Sequence, residues 1–490
     1  MSLDAMPCEL LLMIIQSLSD EAIRNHTHPY DIYAFRLVCK RFSKLAYSYL
    51  FRQFGLWPSS CRDIRPVQQF MRILNEEPTL AVYTESVAVV WPHTPQVQCL
   101  DPSIIGIGDS SGSGGGRGSG SGSVSMNGPL PARLDIRTSS EIALDTSIWE
   151  ASLSLLPQPY PRLTTQLNGA YVPISTPLYN SLALTLLLPK FTNLKSLCIK
   201  PHPAILDPDL LFTATEYMVL NTRFPQLEYL EWDEGAKIEF CFHILLTAPK
   251  LRVFKGDFWR GSSELHEIAS DLEPWETAYW TGLKSNVEEI HLTNSWMPAE
   301  YIPWLLSRTP RLTTFTYNYT HRSIPWDIAS LNQGLRIVTN TLENLTILPD
   351  YENITPAFTG THVLCPFVDF PRLKALATDL CWMIHPNYLF ERQLDKILPR
   401  GLNYLELQNV FPSSSPEMLL RRVTRYVESL DLEQELLVRL WDTNQVGIAG
   451  IMYGDEQLLE YMQRLRRVVE RREGRVRVER LPGGGTYFLS

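Results

Sequence analysis

Leu227-Glu-Tyr-Leu-Glu-Trp232 and Leu402-Asn-Tyr-Leu-Glu-Leu407 follow one six-residue pattern, Leu-x-x-Leu-x-apolar. One further copy precedes them at Leu194 (LKSLCI), and five lie between, beginning at Leu251, Val287, Leu312, Leu342 and Leu373. The last two apolar positions alternate by two, so they enter one face of a strand while the residues between them face the other way. Several copies follow a proline, and most follow a helix-like apolar run, such as FHILLTAP before Leu251 and YIPWLLSRTP before Leu312.

One strand and one helix in each interval of roughly 25–35 residues is the unit of a leucine-rich-repeat solenoid. No single unit can bury its apolar face alone, so neighbours stack, with parallel strands on the concave side and helices outside. The expected fold is therefore α/β, an irregular leucine-rich-repeat solenoid over residues 160–411. Gly256 and Thr378 replace the last apolar residue in two copies. An ordinary α/β domain with several buried strands is the alternative.

Around this array the composition changes. Residues 1–56 are dense in Leu, Ile and Phe with a helical period. Residues 57–105 form a mixed connecting region, and 106–128 is a Gly/Ser-rich tract that cannot bury enough apolar surface to offset the cost of ordering. Residues 416–490 suggest a C-terminal helical cap. It begins with a helix started by Ser415-Pro416, and a second helix is expected over 455–473. A hairpin then joins the Val476/Val478 stretch to Tyr487-Phe488-Leu489.

The totals bound the class. The chain has 490 residues, 44% apolar and 20% charged. That is ordinary for a soluble globular protein and enough for several domains at ~100–200 residues each. A net charge of −9 argues against a general nucleic-acid binder. The eight cysteines contain no C-x-x-C pair, which argues against a zinc site and for small buried thiols in a reducing compartment. No secretory pattern opens the chain, and no apolar run approaches the ~20 residues a membrane helix needs. The expected address is cytoplasmic or nuclear, where the four N-x-T sequons carry no meaning.

The opening segment holds more apolar side chains than it can hide. Pro7 fits a first helical turn. After it, Leu10, Leu11, Ile14, Ile15 and Leu18 line one helical face, and Leu12 and Met13 fall on another. A second helix is expected from Ile32 to about Lys40, capped by Asp31, and a third from Phe42 to Phe54. Three short helices cannot cover so much apolar surface by themselves. Either a partner covers it, or the three helices form a purely internal core.

The strings MPCELLLMIIQSL and DIYAFRLVCKRFSKLAYSYLFR resemble an F-box, over about residues 3–52. Met6 stands where leucine is usual, Phe42 where tryptophan is common, and Ser19–Tyr30 lengthens the link between the two blocks. An F-box followed by degenerate leucine-rich repeats is similar to many fungal F-box proteins. The resemblance implies a three-helix module that docks on the Skp adaptor of an SCF-type cullin–RING ubiquitin ligase. The rest of the chain would then capture a protein substrate. The matching positions are Pro7, Leu10, Leu11, Ile14, Leu18, Leu37, Val38, Cys39, Phe42 and Leu45. It implies no enzyme activity, cofactor, metal, nucleic acid or membrane.

In the repeats, the outward strand positions would line the concave face. Tyr229, Glu231, Asp233, Glu289, His291, Tyr404 and Glu406 are the substrate-binding candidates, and aromatics beside acids suggest a basic or mixed peptide. Other chemistry is weaker. Ser110 sits in a G-x-S-x-G pattern, as a hydrolase would require, but lacks the strand before it and the helix after it that the motif needs. His26-x-His28 reads as solvated loop. The eight arginines against three glutamates in 464–480 read as a solvated helical face or, alternatively, a surface for an acidic partner. A scaffold that uses the adaptor without directing ubiquitin transfer is the remaining rival.

Overall fold

Tight turns lead into the strands. In Phe224-Pro-Gln-Leu227 the amide of Leu227 donates to the carbonyl of Phe224 at 3.3 Å. The same closure recurs from Leu251 to Ala248, Leu312 to Thr309 and Leu373 to Phe370. Proline at the second position of each turn pre-sets its φ. The leucine that ends each turn is buried. The carbonyl just before a strand then accepts two amides from the next repeat. Lys195 accepts from Glu228 and Tyr229, Glu228 from Arg252 and Val253, and Arg252 from Glu288 and Glu289.

The computed structural model describes residues 6–24, 32, 37–56, 65–90, 184, 187–200, 224–233, 244–257, 282–295, 297, 299–319, 327–349, 363–383, 393–408, 416–431, 433–442, 456–472, 475–482 and 487–489. They belong to one unit formed by Met1–Trp91 and Ser175–Ser490. A second unit, Pro92–Ile174, lies outside the described residues, and with it the Gly/Ser tract and Ser110. His26, His28, Ser415 and Gly474 also lie outside them.

Among the described residues, thirteen strands form one sheet in sequence order. They are β1 (Gln53–Leu56), β2 (Ser86–Val90), β3 (Ser196–Lys200), β4 (Tyr229–Asp233), β5 (Val253–Asp257), β6 (Glu289–Ser295), β7 (Thr314–Tyr319), β8 (Asn344–Pro349), β9 (Ala375–Asp379), β10 (Tyr404–Gln408), β11 (Leu436–Asp442), β12 (Val476–Pro482) and β13 (Tyr487–Leu489). All neighbours pair parallel except the last, where β13 returns antiparallel with Leu489 opposite Val478. Helices lie outside the sheet: α1 (Cys8–Arg24), α2 (Lys40–Leu50), α3 (Arg65–Glu76), α4 (Ile302–Ser307), α5 (Ile328–Ile337), α6 (Leu380–Met383), α7 (Leu394–Ile397), α8 (Pro416–Ser429) and α9 (Glu456–Glu470). The architecture is α/β and solenoid-like, as the repeated hexapeptide predicts.

All eight copies of the pattern become strands β3 to β10. The sheet also runs beyond them at both ends. β2 arises in the 57–105 region and pairs directly with β3. β11 and β12 continue the sheet through 416–490, where a helical cap with a terminal hairpin was expected. The helix expected over Phe42–Phe54 stops at Leu50, and Phe54 lies in β1.

Register explains the two irregular copies differently. Gly256 stands between Trp232 and Leu292, so the smallest residue adjoins the largest buried one. Thr378 is fully buried with no partner for its hydroxyl, and nothing in its surroundings accounts for it. A second close approach joins α4 to α5. A Cβ added at Gly334 would stand 2.9 Å from Ile302 Cγ2 and 3.1 Å from the Pro303 backbone nitrogen. Gly334→Ala gains ~1 kcal/mol of helix propensity, but overpacking costs about 1–3 kcal/mol. The expected result is net destabilisation in chemical denaturation. A more stable variant would contradict that packing.

Candidate protein-docking surfaces

The α1 helix divides its apolar residues between two faces. Leu11, Ile15 and Ser19, at i, i+4 and i+8, are buried, and so are Phe42, Ala46 and Leu50 on α2, against which α1 packs. The other face is bare. Leu10 is 47% exposed, Met13 65% and Ile14 38%, and before α2 Leu37 is 85% and Val38 58% exposed. Pro7 is exposed beside them, while Leu18, Cys39 and Leu45 are half-buried. Those five supply half of the ten large hydrophobic side chains exposed among the described residues. Single exposed apolar residues are ordinary on protein surfaces, but three on one face of α1 with two more just before α2 exceed such scatter.

Leu11 and Phe42 therefore leave the set of surface candidates. They are fully buried and hold α1 to α2. Met13 joins the exposed set; its i+3 spacing from Leu10 could have placed it there from sequence. Two arginines grip the ends of α1. Arg41 donates to the Met6 carbonyl at 2.8 Å and to Cys8 Sγ at 3.0 Å. Arg52 reaches Asp20 at 2.8 Å and Ser19 at 3.4 Å.

The second surface is the face of the sheet turned away from the helices. Parallel register lines up Cys198, Glu231, Lys255, His291, Thr316, Thr346, Ala377, Glu406, Arg439 and Glu479 in one row across it. Two clusters on this face share one design. Tyr229 donates to Glu231 two residues on at 2.5 Å, and Lys255 from the next strand stands 5.5 Å from the Tyr229 ring centroid. Tyr404 likewise donates to Glu406, and Arg439 from the next strand lies 5.6 Å from the Tyr404 ring. A cation over an aromatic face is attracted by the ring quadrupole.

Both carboxylates are already engaged. Glu231, only 8% exposed, also takes Lys200 at 2.5 Å. Burial alone would raise its pKa. The Lys200 and Tyr229 hydrogen bonds and the Lys200 and Lys255 charges outweigh that and hold it below the ordinary carboxylate range. Glu406 is bonded by Gln408 as well, and Arg439 continues to Glu479 at 2.9 Å. Burial and the Glu406 bond push the Tyr404 phenol up to about 12. Glu289 and Thr316 bracket His291 at 3.3 and 3.1 Å. The side chain of Asp233 lies outside the described residues.

A depressed carboxylate contributes stability above its unfolded pKa, 4.5 here, and loses it as pH falls through the folded value. Hydrogen bonds to a charged group contribute ~1.5–3 kcal/mol. Glu231→Gln should thus cost about 2 kcal/mol at pH 7 and less at pH 3. Denaturant melts at both pH values check this; equal losses at the two would remove the carboxylate from the account.

The arginine-rich stretch 464–480 is mostly occupied within the fold. Arg464 pairs with Glu428, Arg466 with Glu470 and Arg475 with Glu433. Arg472 is buried and bonds four main-chain carbonyls. Among the described residues no three metal-ligating side chains converge, and no helix is long and apolar enough to cross a membrane. No protein-family model matches the chain, and a search of curated proteins finds no match.

Proposed function

We propose that the chain recruits a protein substrate to an SCF-type cullin–RING ubiquitin ligase in the cytoplasm or nucleus. Its N-terminal helices act as an F-box on the Skp adaptor, the open face of the repeat sheet takes the substrate, and the chain carries no chemistry of its own. The observation that carries this reading is the bare apolar patch of Leu10, Met13, Ile14, Leu37 and Val38. It stands on the two sequence blocks that resemble the F-box, and α1 and α2 do not use it for packing against each other. A patch of this kind needs a partner of matching apolar surface.

Calorimetric titration of the purified full chain with a purified Skp adaptor tests the reading. Saturable one-to-one binding is expected, and its absence would sink the proposal. Adding the cullin then separates a ligase subunit, which retains it in a ternary complex, from a scaffold that holds the adaptor alone.

A further inference from the structure

Only Phe51 and Arg52 separate the end of α2 from the start of β1. The exposed patch and the repeat sheet are thus joined without a linker, and Arg52 stands at the joint. Its guanidinium, 17% exposed, divides its donors between two elements. Nη1 binds Asp20 and Ser19 on α1, while Nε and Nη2 both bind Glu85 Oε2, at 3.2 and 2.6 Å. The Arg52 carbonyl accepts the amides of Glu85 and Ser86, which open β2. Glu85 carries the link onward: its carboxylate meets Lys195 at 3.2 Å, and its carbonyl accepts the amides of Lys195 and Ser196 at the start of β3. Around the joint Phe51, Phe54, Phe70 and Phe191 form a chain of ring contacts from the end of α2 through β1 and α3.

Apolar contacts of this kind resist separation but tolerate sliding, because dispersion has little directionality. A guanidinium with donors fixed in a plane does not tolerate it. We infer that Arg52 is a positioning residue that locks α1, and with it the exposed apolar patch, at one orientation to the repeat sheet. Partners on the two surfaces are consequently held at a fixed separation. Naming the patch a docking surface rests on the proposed function; the locking itself does not.

Spin labels introduced as unnatural amino acids at Gln16 on α1 and Asn344 on β8 read the angle directly, by pulsed electron resonance on the full chain. A control pair at Asn344 and Asn403 reads the sheet alone. The natural protein should give one narrow distance for each pair. Arg52→Ala should broaden the Gln16–Asn344 distribution by roughly twofold or more while the control stays narrow. Should the control broaden too, Asp20→Asn and Glu85→Gln, which keep the guanidinium, decide the matter: each should broaden the first pair alone. Distributions as narrow as the natural protein's in all three variants would overturn the inference. Failure of the adaptor to bind a chain that still shows the narrow distance would instead count against the proposed function and leave this inference standing.

Discussion

Replacing Leu10 and Leu37 together by aspartate should weaken binding of the Skp adaptor by roughly 10²- to 10⁴-fold and leave the melting temperature nearly unchanged. Leu37 is 85% and Leu10 47% exposed in the free chain, so their loss removes little internal packing. Each would bury on docking, where an aliphatic side chain contributes about 1.5–3 kcal/mol. A carboxylate put in its place must also be desolvated. The contrast with the buried partners makes the test specific. Leu11→Ala and Phe42→Ala should cost about 2–5 kcal/mol of stability, because they open cavities between α1 and α2. Calorimetry beside thermal melts distinguishes the two classes. If the exposed pair can be replaced with full adaptor affinity, the patch is not the docking surface.

What could be read from the sequence depended on whether the deciding contact was local. The repeat announces itself through leucines that each fill an identical slot, and every Leu-x-x-Leu-x-apolar copy became a strand. The strands that escaped notice lack the leading leucine. In the β2 repeat Thr84 occupies that slot, buried, and its hydroxyl donates to the Phe51 carbonyl at 2.8 Å. Before β11 the position in register with that leucine is the exposed Glu435, and the adjacent Leu436 fills the interior instead. A polar residue that finds a partner can replace leucine, and sequence does not announce the partner. Phe51-x-x-Phe54-x-Leu56 fits the pattern with other apolar residues, but it follows a helical run so closely that it reads as more helix.

The surfaces were half legible for a related reason. The apolar surplus of the first helix is a matter of composition and visible at once. Which of two adjacent leucines faces α2 is a matter of rotation, and Leu10 and Leu11 are indistinguishable until that is known. On the sheet, Glu231 and Glu406 could be placed on the outward face by alternation alone. That Glu231 is paired there depends on Lys200 and Lys255 from neighbouring strands, while Glu406 is bonded by Tyr404 and Gln408 of its own strand. The expected attraction of this face for basic peptides loses part of its ground, since Glu231 already holds Lys200 and Glu406 already accepts two hydrogen bonds from its own strand.

The arginine-rich stretch holds the other large effect. Arg472 is 6% exposed, and its guanidinium donates to the carbonyls of Val427, Glu428, Leu430 and Asp431, at 2.8, 3.4, 2.9 and 2.6 Å. The last turn of a helix leaves its carbonyls without partners and carries the negative end of the dipole. One buried cation thus caps α8 from the repeat that follows it. Arg472→Ala should cost on the order of 3–5 kcal/mol, since several buried acceptors lose a charged donor at once. In a stacked array such a loss is felt first by the neighbouring repeats. Amides of β11, β12 and β13 should therefore exchange with deuterium much faster, while those of β6 to β8 keep their protection. Arg472→Lys should recover only part of the loss, because an ammonium lacks the planar fork that reaches four carbonyls. Arg467, whose guanidinium touches only the Gln463 carbonyl at 3.4 Å, serves as the control. Arg467→Ala should be silent, and if it matches Arg472→Ala the effect is one of net charge rather than capping.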